Sequence, residues 1–109
     1  MLFEPGSIGS LTLKNRIVRS ATAECLADEA GLPLPSLAET YAELARGGVG
    51  LIITGHMGVH RSGKAHSGMT LLHEDAHERA LARLVEKTHD GQGLLAAQIN
   101  HAGRQALPT

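Results

Sequence analysis

The stretch that decides the fold of this 109-residue chain is SLAETYAELARGGVGLIITG, residues 36–55. Its first half predicts a helix, because Ser36 stands three residues before Glu39, the capping-box spacing that satisfies free N–H groups at a helix start. A glycine pair then stops the helix, and the β-branched run VGLIITG follows at once with no polar alternation. Such a run is typical of a parallel strand covered on both faces, so the stretch indicates an α/β protein. The apolar face of the predicted helix consists of Leu37, Tyr41, Leu44 and Ala45.

The same order of elements continues on both sides of this stretch. Before it, NRIVRSA at residues 15–21 predicts a buried first strand. After it, DAHERALARLVEKTHDGQG at residues 75–93 predicts a second helix, which Asp75 caps and Gly91 ends. LLAAQI at residues 94–99 then predicts a third strand. Alternation of strands and helices is typical of a parallel α/β sheet with right-handed crossovers.

Two segments lie outside this alternation. SIGSLTL at residues 7–13 alternates apolar positions around a Gly-Ser pair, which suits a tight hairpin turn. HMGVHRSGKAHSGMT at residues 56–70 is polar and contains several glycines, so it predicts a loop. His56 and His60 stand four residues apart there, a spacing that pairs metal ligands only on a helix. Because the glycines argue against a helix, we expect no metal site.

The composition excludes several kinds of partner. A net charge of −1 and an aromatic content of 2% give no basis for binding nucleic acid or an anionic membrane surface. The longest apolar run, VGLII, is too short to span a bilayer. A single cysteine, Cys25, rules out an internal disulfide, and no signal peptide is visible. These features predict a soluble, cytoplasmic chain whose ligand is a small molecule.

Polar residues gather where the predicted strands end. In parallel α/β folds, ligands bind at the carboxyl ends of the strands. That rule brings together residues 20–25, 54–56 and 98–104, and small residues in the first two segments let a flat ligand approach the backbone. Gln98 offers a hydrogen-bond donor and acceptors, as the edge of a heterocycle requires. We therefore expect a ligand site here, with ordinary loop chemistry as the alternative.

Three blocks of the sequence also resemble a known family. LFEPGSIGSLTLKNRIVRSAT (residues 2–22), ELARGGVGLIITG (43–55) and QINHAGRQ (98–105) resemble successive blocks of the Old Yellow Enzyme family, the FMN-dependent NADH:flavin oxidoreductases. The resemblance implies a (β/α)₈ TIM barrel preceded by an N-terminal β-hairpin. Residues 1–109 would then form the first three β/α units, as the N-terminal portion of a single FMN-binding domain with no internal boundary.

The resemblance also implies which residues contact FMN. Six residues match cofactor-binding positions of the family: Ser20, Ala21, Thr22, Gly55, His56 and Gln98. The first three match a strand-one segment whose backbone runs along the flavin, and the next two match the strand-two end beside the flavin ring. Gln98 matches the glutamine whose side-chain amide pairs with the pyrimidine edge. Two positions depart from the family pattern, because Ala23 replaces a hydrogen-bonding Thr or Cys and His56 replaces a smaller residue.

The function implied by the resemblance is hydride transfer from NAD(P)H to FMN, and then to an electron-poor alkene such as an α,β-unsaturated carbonyl. Catalytic residues are expected beyond Thr109, so none is assigned, and the chain alone is expected to be inactive. Two alternatives stay open. In one, the chain is a non-catalytic partial barrel that self-associates through open sheet edges. In the other, it begins a multidomain FMN and iron–sulfur enzyme of the dienoyl-CoA reductase type.

Three residues near the expected site have simpler interpretations. Glu24 is expected either to form an ion pair with Arg16 or Arg19 or to be a solvated residue at the end of the first strand. Cys25 is expected to be a small buried hydrophobic residue rather than a nucleophile. His101 either acts as a base or substrate ligand, or orients its loop through backbone hydrogen bonds.

Overall fold

The computed structural model describes residues 1–108. Within that range, strands and helices follow one another in the order β1 (Gly6–Ile8), β2 (Leu11–Leu13), β3 (Val18–Arg19), α1 (Pro35–Arg46), β4 (Leu51–Gly58), β5 (Thr70–Leu71), α2 (Asp75–Asp90) and β6 (Leu95–Asn100). Two short 3₁₀ helices, Arg61–Gly63 and Gly103–Gln105, come after β4 and β6.

Strand β4 is the centre of a parallel sheet. β3 pairs with its start, where Val18 lies opposite Leu51, and β5 pairs with its end. β6 pairs with β4 along most of its length, on the edge opposite β3 and β5. β1 and β2 form a separate antiparallel pair, and the chain turns between them at Gly9, whose φ is +57°. The predicted α/β fold with a parallel sheet is confirmed.

The core lies between the two helices and the first half of β4. Its buried members are Leu37, Tyr41, Ala45, Ile52 and Leu84. Burial of large apolar side chains of this kind is the main favourable contribution to folding. The second half of β4 carries one polar side chain, His56, toward the carboxyl end of the sheet.

Both helices begin at residues other than those expected. α1 starts at Pro35, and the preceding Leu34 makes no side-chain capping bond, so the capping box predicted at Ser36 is wrong. Proline suits the first helical position because it has no N–H group to leave unpaired. α2 starts at Asp75, which is therefore not its cap. The residue before it is Glu74, whose backbone N–H donates to Nδ1 of His77 at 3.2 Å.

The segment predicted as a loop contains strand structure at both ends. β4 extends through His56 to Gly58, because these residues pair with the end of β6. Thr70–Leu71 forms the short strand β5 against Met57 and Gly58. No sequence pattern predicts either feature. β5 has only two residues, too few to show alternation, and the end of β4 lacks the β-branched residues that are typical of a strand.

Neither helix of the described chain has the length and apolar character that crossing a membrane requires.

Candidate functional site

The strands β4 and β6 change register in the middle of the sheet. Ile53 lies opposite Ala96, but the next aligned pair is His56 opposite Gln98. Two residues of β4 therefore face one residue of β6, which is a β-bulge. Side chains that lie opposite each other in a parallel ladder point to the same face, so the bulge brings His56 alongside Gln98.

The bulge is held by the side chain of Thr54, which is only 2% exposed. Its Oγ1 accepts a hydrogen bond from the backbone N–H of Gln98 at 3.0 Å. The same hydroxyl donates to the carbonyl oxygen of Gly55 at 2.9 Å. The Thr54 hydroxyl therefore satisfies one backbone donor and one backbone acceptor at the point where the ladder is interrupted.

The side chain of Gln98 is exposed, and its amide makes no hydrogen bond to any other residue between 1 and 108. The neighbouring polar groups are engaged. Nδ2 of Asn100 lies 2.7 Å from Nδ1 of His56, and Asn100 stands two residues beyond Gln98 on the same face of β6. Oδ1 of Asn100 is buried and has no partner within the described residues. One face of the sheet thus presents an available primary amide beside an oriented imidazole.

The segment after β3 runs across the bulge. Its residues Ser20, Ala21 and Thr22 are exposed, and Thr22 Oγ1 donates to the carbonyl oxygen of Ser20 at 3.1 Å. Gly55 allows the close approach, because a Cβ atom there would lie against the carbonyl oxygen of Thr22 and 2.8 Å from Oε1 of Glu24. The structure therefore brings the predicted segment and the predicted strand residues into contact at one end of the sheet.

A buried polar network supports the bulge from the helix side. Glu24 forms an ion pair with Arg19, as predicted, and accepts a hydrogen bond from the Tyr41 hydroxyl at 2.9 Å. The Tyr41 oxygen in turn accepts the backbone N–H of Gly55 at 3.4 Å. Burial raises the pKa of Tyr41 strongly, and the hydrogen bond to the Glu24 carboxylate raises it further. The phenol therefore stays neutral and keeps its proton on the bond to Glu24.

Comparison with known proteins identifies the family. Residues 1–108 match the NADH:flavin oxidoreductase / NADH oxidase family. The chain belongs to this family. It is similar to an NADH oxidase of Thermoanaerobacter brockii, with 39% identity over 108 residues that cover 98% of this chain and 17% of the relative. It is also similar to a probable flavin mononucleotide-dependent alkene reductase of Leishmania infantum, with 26% identity over 111 residues, 100% of this chain and 29% of the relative.

A solved structure shows the same relationship. The old yellow enzyme homologue of Zymomonas mobilis superposes with a TM-score of 0.84 at 32% identity, over 92% of this chain and 28% of that structure. The resemblance to the Old Yellow Enzyme family is therefore confirmed. The chain spans less than a third of each of these three proteins.

One residue of this family member differs from its expected environment. Cys25 is exposed, so the prediction that it is a buried hydrophobic residue is wrong. Its backbone adopts a φ of +58°, a left-handed conformation that turns the chain and leaves the thiol at the surface. The nearest ring nitrogen is Nε2 of His66, 3.9 Å from Sγ.

His101 connects the loop after β6 with the loop after β4. Its Nδ1 accepts the backbone N–H of Gly103 at 2.9 Å, and its Nε2 lies 3.1 Å from Oγ of Ser62. The Ser62 hydroxyl also lies 2.8 Å from Nδ1 of His60. These bonds fit the interpretation in which His101 orients its loop. Within residues 1–108, no three His, Cys, Asp or Glu side chains are placed to hold a metal ion together.

The sequence did not reveal the roles of Thr54, Tyr41 and Asn100. The helical pattern predicts Tyr41 on the apolar face of α1, and its ring lies buried there, but its hydroxyl also reaches the bulge, which the pattern does not predict. Asn100 belongs to the polar segment at the end of the third predicted strand. Its contact with His56 depends on the register between β4 and β6, which the sequence does not show. The one available signal was Thr54 itself, a hydroxyl within an otherwise apolar strand.

Proposed function

We propose that this chain is the N-terminal portion of an FMN-dependent NAD(P)H oxidoreductase of the ene-reductase type. The substrate would be an activated alkene, such as an α,β-unsaturated carbonyl. In this proposal residues 1–109 form the N-terminal hairpin and first three β/α units of a single (β/α)₈ barrel domain. Family membership supports it, as do the names of relatives that include an NADH oxidase and an alkene reductase.

The observation that carries the proposal is the available amide of Gln98. In a site where the hydroxyl of Thr54 and the ring of His56 are hydrogen-bonded, this exposed side chain makes no bond within the described residues. An amide offers two donors and an acceptor, which match the alternating N–H and C=O groups of the flavin pyrimidine ring. The residues therefore fit FMN at this edge.

The other predicted site residues fit the same arrangement. Ser20, Ala21 and Thr22 present exposed backbone on the segment that crosses the bulge, and Gly55 keeps that segment close to β4. His56 lies next to Gln98 and is held by Asn100. When bound, FMN supplies the hydride chemistry, and these residues bind and orient it.

Ala23 limits how this chain influences a bound flavin. The residue is exposed on the crossing segment, and its methyl group has no hydrogen-bonding capacity. A hydrogen bond to the flavin at this position would have to come from another residue, and His56 provides an imidazole on the proposed flavin face.

The proposal is tested on the purified protein that carries this chain. The wild-type protein should show flavin absorbance bands and release FMN on denaturation. Gln98→Leu should weaken FMN binding by at least roughly tenfold, because the amide loses its bonds to the pyrimidine edge. Gln105→Leu, at an exposed glutamine of the second 3₁₀ helix, is the matched control and should bind FMN normally. A colourless wild-type protein that takes up no added FMN would contradict the proposal.

A longer parent protein is the second candidate. The relative at 39% identity matches this chain over only 17% of its own length, whereas the alkene reductase matches over 29%. The first ratio favours a multidomain enzyme, for which an iron–sulfur cluster is the expected additional cofactor. Iron and acid-labile sulfide analysis of the parent protein distinguishes the two candidates.

Self-association remains a proposal for the chain on its own. Val18 on β3 and Ile99 on β6 are apolar residues of the sheet that are 43% and 59% exposed. Exposed apolar edge strands favour pairing with another chain. Sedimentation at several concentrations should show association of residues 1–109, and a monomer at all concentrations would count against it.

A further inference from the structure

We propose that Thr54 is a positioning residue for Gln98, and that its hydroxyl fixes the arrangement in which Gln98 and His56 face a ligand together. This inference rests on the proposed function, because it concerns the amide that would pair with the flavin. The inference adds Thr54 of β4, whose side chain is buried, to the residues of the proposed site.

The first step of the argument is the hydrogen-bond pattern at the bulge. In an uninterrupted parallel ladder, the N–H of one strand donates directly to a carbonyl oxygen of its neighbour. Here the N–H of Gln98 donates to Thr54 Oγ1 at 3.0 Å, and the hydroxyl donates onward to the Gly55 carbonyl at 2.9 Å. The Thr54 hydroxyl therefore links a backbone donor of β6 to a backbone acceptor of β4 at the point where the register shifts.

The second step is the chemistry that this position requires. The inserted group must accept one hydrogen bond and donate another, which a serine or threonine hydroxyl does and an aliphatic side chain does not. Valine has nearly the same shape as threonine, but in place of Thr54, which is 2% exposed, it would leave the Gln98 N–H without its acceptor. The hydroxyl, rather than the volume of the side chain, is therefore what the site needs.

The third step connects the bulge to the ligand face. A shift of one residue in a strand register moves every following side chain to the opposite face. Without the bulge, the register of Ile53 with Ala96 would continue and place Gly55, rather than His56, beside Gln98. The Tyr41 hydroxyl holds the Gly55 N–H from the helix side at 3.4 Å, so the two bulge residues are fixed by two separate hydroxyl groups.

The test compares four variants in the protein that carries this chain. Thr54→Val and Thr54→Ala remove the hydroxyl, Thr54→Ser retains it, and Thr88→Val is the matched control. Thr88 is also a buried threonine, 0% exposed, but its hydroxyl bonds to the Leu84 carbonyl within α2. Two properties are measured: the hydrogen-exchange rate of the Gln98 backbone amide, and the affinity and visible spectrum of bound FMN.

The expected results separate positioning from general stability. Thr54→Val should accelerate exchange at Gln98 by at least roughly tenfold relative to neighbouring β6 amides. It should also weaken FMN binding by roughly fivefold or more and shift the flavin bands. Thr54→Ser should keep both properties within about twofold of their wild-type values. Thr88→Val should leave both unchanged even where it lowers the free energy of unfolding.

Two results would overturn the inference. One is unchanged exchange at Gln98 in Thr54→Val while wild-type protein binds FMN, which leaves the proposed function intact. The other is an exchange rate at the Gln98 amide that is as high in Thr54→Ser as in Thr54→Ala. This comparison remains decisive even if Thr54→Val does not fold. Absence of FMN from the wild-type protein would overturn the proposed function itself, and with it the flavin part of this inference.

Discussion

Nδ2 of Asn100 lies 2.7 Å from Nδ1 of His56, across the boundary between the last residue of β6 and the second half of β4. The amide donates and the ring nitrogen accepts, so the neutral imidazole carries its proton on Nε2. In this arrangement Oδ1 of Asn100 is buried without a hydrogen-bond partner among residues 1–108, which is energetically unfavourable. The contact with Asn100 orients the His56 ring on the face of the sheet that also carries Gln98.

Replacing Asn100 should release the imidazole. In Asn100→Leu the donor to Nδ1 is lost, so His56 should populate both neutral tautomers and more than one ring orientation. Nitrogen-15 spectra of the histidine side chains measure this directly, and exposed His89 on α2 serves as the internal reference. A His56 ring that keeps its single Nε2–H tautomer in the variant would show that another group orients it.

Removing the Tyr41 hydroxyl should destabilise the fold. Tyr41→Phe leaves the Glu24 carboxylate without one donor and the Gly55 N–H without its acceptor, at an expected cost of about 1–3 kcal/mol in the free energy of unfolding. Denaturant titration measures the change. Thr40→Val is the control on the same helix, because its hydroxyl bonds only to the Ser36 carbonyl, and it should change stability by less than about 0.5 kcal/mol.

The raised pKa of Tyr41 predicts a loss of stability in alkali. The unfolded chain ionises its tyrosine near the ordinary value of 10.0, whereas burial and Glu24 keep the folded phenol neutral at higher pH. Stability from this group is therefore complete below pH 10 and falls above it, by up to about 1.4 kcal/mol per pH unit. Residues 1–109 contain one tyrosine, Tyr41, and no tryptophan, so phenolate absorbance of this chain expressed alone reports on Tyr41.

The control for this pH dependence is Tyr41→Phe, in which the additional decline above pH 10 should disappear. Parallel decline of the wild type and the variant would assign the alkaline loss to lysine residues. Phenolate absorbance that rises near pH 10 in the folded protein would show that the hydroxyl is not held by Glu24.

A side chain at Gly55 should separate the crossing segment from β4. In Gly55→Ala the new Cβ meets the backbone oxygen of Thr22, which cannot move as a flexible side chain would, and we expect a cost of about 1–3 kcal/mol. FMN affinity should fall as well, because Thr22 and its neighbours shift. Gly6→Ala is the control, since its nearest atom is Cγ of the Arg16 side chain at 3.4 Å. Equal stability losses in the two variants would contradict the proposed contact.

Residues 1–109 expressed alone should be colourless and inactive. Relatives of this chain are more than three times as long, and the proposed site uses Gln98 for the flavin edge but assigns no residue to the FMN phosphate. Intact mass together with a visible spectrum tests the point. A yellow protein with a mass near 11.5 kDa would show that these residues hold FMN unaided.

The order of elements was predictable because each long element has its own pattern. The helical spacing around Tyr41 and the β-branched run before Thr54 report local structure, and both helices and the central strand lie where those patterns stand. Gln98 and His56 were predictable as neighbours from the rule that parallel strands end together and from the family resemblance.

The remaining features depend on pairing rather than on local pattern. The bulge arises from how β4 aligns with β6, and no spacing within β4 encodes the extra residue. The contact between Asn100 and His56 follows from that alignment. Cys25 is exposed because of a left-handed backbone at one residue, which a periodic pattern does not detect. The sequence contains two adjacent start signals for α1, a proline suited to the first helical position and a serine suited to capping, and the helix begins at Pro35.

The bulge places fold stability and ligand recognition in opposition. Deleting one residue at Thr54 or Gly55 would let β4 and β6 align without interruption, with direct backbone bonds along their whole length. The same deletion would keep His56 opposite Gln98, but it would remove either the Thr54 hydroxyl that holds the Gln98 N–H or the glycine at which Thr22 approaches β4. The extra residue therefore interrupts the sheet at the place where the proposed ligand site lies, which is where β-bulges next to active sites commonly occur.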